Sequence, residues 1–175
     1  MGARHQRSPA VHGRASTPSF HPTRALRLKF VDHDVTVLAK FLTVAPRTGD
    51  AMWELLGDGP LDSLALHGIW AGHELAAEIP PPRTPIPPEN QSLYPAPGEI
   101  LFWSIPGGVS RNYPDDINEL AIIYGPDTRL SLGTVGDRPG NVFAAVVENL
   151  DGLADMAHRM RFEGAKRLRV ERVTR

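Results

Sequence analysis

The chain has 175 residues, 41% of them hydrophobic, enough for one domain around a single buried core. A formal charge of -1 leaves no single-sign field to draw the molecule to nucleic acid or to an anionic membrane, so neither is expected as a partner. The absence of cysteine removes disulfides, thiolate nucleophiles and thiolate zinc sites, and no apolar run approaches the roughly 20 residues of a membrane span. A soluble, cytoplasmic protein is therefore expected.

Residues 1–25 carry Arg4, Arg7, Arg14 and Arg24 with no acid, amid scattered Ser, Pro and Gly. They show no hydrophobic periodicity and no apolar segment of the kind a secretory signal needs, so a disordered N-terminal extension is expected there. The folded domain is expected over residues 26–175. Leu26, Leu28 and Phe30 alternate with Arg27 and Lys29, the period of a half-buried strand. Asp32-His33-Asp34 turns the chain, and Val35, Val37, Ala39 and Phe41 mark the return strand of a hairpin. Pro46 suits the first turn of a helix carrying Met52, Trp53, Leu55 and Leu56, which Gly57-Asp58-Gly59-Pro60 ends.

Leu64 to Trp70 and His73 to Ile79 form a second hairpin about Ala71-Gly72. The proline-dense run from Pro80 to Pro97 is a long extended loop, since proline removes ladder donors. Glu99 to Trp103 and Glu119 to Tyr124 are strands, the second apolar on both faces and therefore central. Asn141 to Val147 adds another strand. Leu150, Leu153, Ala154, Ala157 and Met160 trace a second amphipathic helix that Gly164 stops, and Leu168 to Val173 is the last strand. Many short strands with two helices favour a small antiparallel barrel over a parallel α/β sheet.

The strand, strand, Ala45-Pro46-Arg47-Thr48 helix opening resembles that of cyclophilins. From Leu26 to Val173 the chain more closely resembles a bacterial family of uncharacterised proteins with a cyclophilin-like fold, DUF3830. The residues that carry this are Ala45 to Thr48, Trp70-Ala71-Gly72-His73-Glu74, the run from Glu89 to Gly98, Tyr124-Gly125, and Gly140-Asn141-Val142-Phe143-Ala144. The resemblance implies a mainly β fold, a closed cyclophilin-like antiparallel β-barrel with two short flanking α-helices, and no established activity. Cyclophilins place an arginine within a Phe-His-Arg-Ile pattern to stabilise the twisted X-Pro amide. Leu66-His67-Gly68-Ile69 is the matching stretch, with Gly68 in the arginine's place, so the usual electrostatic catalyst is lacking.

Trp70, Glu74, Glu89, Asn90, Tyr94, Tyr124 and Asn141 are expected to line one pocket, the aromatics supplying area and the amides and carboxylates orientation. Arg111 is a loop cation that could reach it. Glu74 and Glu89 form a candidate carboxylate pair with split pKa values. No metal and no cofactor are expected. His73 and Glu74 would face opposite ways in a strand, and spaced ligand sets are absent. The glycine-rich run 133–140 lacks the Gly-Lys-Ser/Thr ending of a phosphate loop. The C-terminal basic run is broken by Glu163 and Glu171 and has no interleaved aromatics to stack bases. The function expected is binding of a small metabolite or short peptide in a cleft. The alternatives are a prolyl isomerase using Arg111 and a non-catalytic subunit whose exposed loops assemble with itself, as a homo-oligomer, or with another protein.

Overall fold

The computed structural model describes residues 17–68, 71–109 and 113–175, and the alternation of the first two strands closes them into the expected hairpin. β1 (Phe20–Phe30) pairs antiparallel with β2 (Val35–Leu42), Leu28 opposite Val37 and Phe30 opposite Val35. β1 opens at Phe20 rather than Leu26, inside the stretch expected to be an extension. Its early residues have no pattern of their own and are held by partners distant in sequence. Phe20 lies opposite Leu42, and Arg24 and Ala25 lie opposite Thr174 and Val173. The rest of the expected extension, residues 1–16, lies outside the described residues.

Helix α1 (Pro46–Leu55) leads to β3 (Leu61–His67), β4 (Glu74–Glu78) and the two-residue β5 (Gln91–Ser92). β6 (Glu99–Ile105), β7 (Ile117–Ile123), β8 (Gly140–Glu148), α2 (Leu150–Glu163) and β9 (Lys166–Thr174) complete the chain. The strands run in the order β2-β1-β9-β3-β4-β7-β6-β8, and β2 pairs back onto β8. Eight strands thus close an antiparallel barrel, with β5 added beside β8, and closure removes the open edges that invite aggregation. No helix among the described residues is long and apolar enough to cross a membrane.

Inward positions fill the barrel with Leu26, Leu28, Phe41, Leu75, Ile100, Ile122, Phe143 and Leu168, all fully or almost fully buried. Met52 of α1 and Leu153, Met156, Ala157 and Met160 of α2 join that core, which is why both helices show an apolar stripe. β7 is central, between β4 and β6. Leu120 and Ile122 face the barrel interior, while Ala121 and Ile123 pack outside it against Leu130 of the segment that follows.

Asn149 fixes the start of α2 from a left-handed backbone, φ 66°. Its side-chain oxygen accepts from the Gly152 N–H at 3.2 Å and its amide donates to the Thr36 carbonyl of β2 at 2.8 Å. Asn149→Ala loses both bonds and puts a less tolerant residue at positive φ. A loss of about 1–2 kcal/mol is expected in a denaturant melt.

Candidate functional site: a groove on the outer face of the barrel

Strand alternation sends every second residue of β3, β4, β6 and β7 away from the core. In β4, Leu75 and Ala77 enter the barrel while Glu74, Ala76 and Glu78 line a groove of about 1150 Å³ on its outside. β7 contributes Ile117 and Glu119, β6 contributes Trp103 and Ile105, and β3 contributes Leu64 and Leu66. Met160 and Arg161 of α2 also line it. Leu64 and Leu66 are 57% and 54% exposed, large apolar side chains left open beside the groove. A smaller hollow of about 490 Å³ adjoins it through the shared residues Ser63 and Glu78.

The groove's electrostatics centre on Glu74. It is 3% exposed and its Oε1 has no hydrogen-bond partner, an expensive arrangement for a charge. Burial pushes its carboxyl up to about 7. Glu119, raised first by burial and then by Glu74 and Glu78 beside it, reaches about 8. The carboxylate that couples to Glu74 is therefore Glu119.

Gly68 makes room for this arrangement. A Cβ at that position would lie 2.8 Å from Glu74 Oε2. Gly68, where the resemblance to cyclophilins would place an arginine, is thus bordered by a carboxyl group. The Gly68 N–H donates to the Glu74 carbonyl at 2.8 Å, which locks the two backbones together.

Tyr124 and His67 lie on the same groove. His67 Nδ1 is 2.8 Å from the Gly68 carbonyl, which can only accept, so Nδ1 carries the proton. His67 Nε2 then accepts from the Tyr124 hydroxyl at 2.6 Å. Burial lowers the His67 pKa, against the pull of the Gly68 carbonyl and helped by nearby Arg161, so the neutral ring is favoured. Burial also raises Tyr124, which keeps its proton on the phenol. His73 and His158 pack edge-on against the Tyr124 ring at 5.2 and 5.3 Å. His73 precedes β4, so strand alternation does not apply to it, and it lines the groove together with Glu74.

The remaining sequence candidates do not gather there. Glu89 stands at the N-terminus of α1, where Ala45 has no side chain able to cap. Its Oε2 accepts from the Thr48 N–H at 2.7 Å and the Thr48 hydroxyl at 2.8 Å, and its Oε1 accepts from the Arg47 N–H and guanidinium. Partial burial would raise this carboxyl, but those donors win and hold it below the ordinary value. Asn141 is 5% exposed; its oxygen accepts from the Glu89 N–H, and its amide donates to the Thr48 hydroxyl and the Pro87 carbonyl. Asn90, at φ 44°, donates to the Val142 carbonyl. These three pin the proline-rich loop to α1 and β8. Tyr94 is 66% exposed on that loop. Trp70 and Arg111 lie outside the described residues.

Glu119, Glu78 and Trp103 also line the groove and are not among the residues that the sequence singles out. The available signal is an acid placed directly before the apolar run Leu-Ala-Ile-Ile, Glu119. Its partners depend on strand register, which the sequence does not display.

A closed antiparallel barrel with two packed helices is a cyclophilin-like fold. The crystal structure of the mimivirus cyclophilin matches it with a TM-score of 0.53 over 90% of this chain and 92% of that one, at 13% identity, a likeness of fold alone. The chain belongs to the DUF3830 family, described as proteins of unknown function, whose pattern matches residues 29–171. No curated protein matches it in sequence.

Proposed function

We propose that the protein binds a small metabolite or short peptide in the groove between β3, β4, β6 and β7. One observation carries this reading. Exposed Leu64 and Leu66 flank a concave site that holds a buried carboxyl group with an unsatisfied oxygen. Folding gains nothing from leaving either feature uncovered, whereas ligand sites combine apolar area with a few convergent polar groups in this way. The adjoining hollow lengthens the site enough for an extended ligand.

Prolyl isomerisation is the weaker reading. The carboxyl of Glu74 occupies the space that a side chain at Gly68 would need, and Gly68 itself supplies no cation to stabilise a twisted amide.

The reading is tested by a thermal-shift screen of metabolites and capped dipeptides, repeated on Leu66→Lys. That substitution changes a half-exposed side chain at the groove wall, so the fold should melt within about 0.5 kcal/mol of the wild type. A ligand at about 100 times its Kd stabilises by roughly 2.7 kcal/mol. Hits should be weakened in the variant; hits that survive it unchanged place the ligand elsewhere.

A further inference from the structure

The groove gathers three carboxyl groups, Glu74, Glu78 and Glu119, that the fold leaves without a salt-bridge partner among the described residues. Glu78 of β4 lies directly opposite Glu119 of β7, and Glu119 lies directly opposite Trp103 of β6. Like charges facing each other across strands destabilise a sheet. Elsewhere the chain supplies partners freely, as in the two-bonded pairs Arg167–Asp32 and Arg169–Asp62. Among the described residues no salt bridge involves Glu74, Glu78 or Glu119.

Two buried polar groups on the groove are also orphaned. Glu74 Oε1 and Trp103 Nε1 have no partner, in residues 3% and 4% exposed. A buried donor and a buried acceptor left open in one site are unusual in a native fold. Both residues line the groove.

We propose that the groove selects ligands carrying a positive charge on an apolar stem, a primary ammonium or a guanidinium, with Glu74, Glu78 and Glu119 receiving the cation. This rests on the reading of the groove as a ligand site and names the chemistry it prefers. The stem lies on Leu64, Leu66 and Ala76. The unfilled indole N–H of Trp103 takes a carbonyl or hydroxyl oxygen of the same ligand. Of the other ionisable groups on the groove, Tyr113 packs against the cluster of Trp103 and Ile105, while His67, His73, Tyr124 and Arg161 cluster beside His158 of α2. Arg161 bars a cation from that end and directs it toward the carboxylates. A free amine and the basic side chain of a peptide share this chemistry.

Calorimetric titration of the full chain at mildly alkaline pH tests the proposal, with pentylamine against 1-pentanol and N-acetyl-lysine methylamide against its norleucine counterpart. The cationic member of each pair should bind at least about tenfold more tightly, the worth of one charge-assisted contact. Glu119→Gln and Glu78→Gln should each remove most of that preference while the protein still melts cooperatively. A preference confined to the lysine compound identifies a peptide as the source, and one shared by pentylamine a free amine. If neutral probes bind as well as cationic ones and lose affinity only in Leu66→Lys, the charge preference falls and the groove stands. If no probe binds at all, the charge preference falls, and the broader screen against Leu66→Lys decides the groove separately.

Discussion

Raising the pH from about 5 to about 9 should destabilise the wild-type protein by several kcal/mol, and Glu74→Gln should remove roughly 3 kcal/mol of that loss. The unfolded chain ionises this carboxyl near 4.5, while the folded protein holds its proton up to about 7. Below 4.5 both states are protonated and stability is complete. Between the two values the unfolded state alone gives up its proton, so stability declines at about 1.4 kcal/mol per pH unit for each such group. Above about 7 the folded carboxyl ionises too and the decline from Glu74 stops. Glu119 extends the decline to about 8. His67 works the other way, because its lowered pKa penalises the fold in acid. Comparison with Glu74→Gln cancels that contribution, since both proteins share it. Urea melts across this range should show a shallower slope for the variant and a more stable variant at alkaline pH. Parallel slopes would mean that Glu74 ionises normally and is not the buried acid described.

Glu89→Ala should cost about 3 kcal/mol and leave ligand binding in the groove intact. The carboxylate accepts from two backbone N–H groups, a hydroxyl and a guanidinium. Hydrogen bonds to a charged group contribute roughly 1.5–3 kcal/mol each, though bonds to one acceptor do not add in full. Truncation also frees the first turn of α1, which Ala45 cannot cap. Because the Glu89 pKa is held low, the cost should be largest at neutral pH and shrink as acid protonates the wild-type carboxyl. Thermal melts at neutral and acid pH check both statements. A variant as stable as the wild type would contradict the capping role; one that is stable but loses groove ligands would return Glu89 to the binding site.

Strand and helix placement was legible because each element carries its own period. The alternation of Val35, Val37, Ala39 and Phe41 marks β2, and the doubly apolar run ending in Ile122 and Ile123 marks a strand that pairs on both sides. β1 begins before its own alternation shows, because its first residues are held by Leu42 and Thr174. The candidate site was half legible. Glu74 and Tyr124 were singled out and do line the groove. Glu89, Asn90 and Asn141 stand apart from the groove, at polar positions beside turns, which suit ligands and loop anchors equally well. Only their bonds to α1 and β8 separate the two roles. Glu119 could not be joined to Glu74 and Glu78, because their proximity is a product of the β4–β7 register.

Amide NMR of the isotope-labelled protein, titrated with a library of metabolites and capped dipeptides, tests the groove most directly. Binding there predicts shift changes confined to Leu64–Gly68, Glu74–Glu78, Trp103–Ile105 and Ile117–Tyr124. Changes centred instead on Glu89–Tyr94 and Asn141 would contradict the account and place the site on the proline-rich loop.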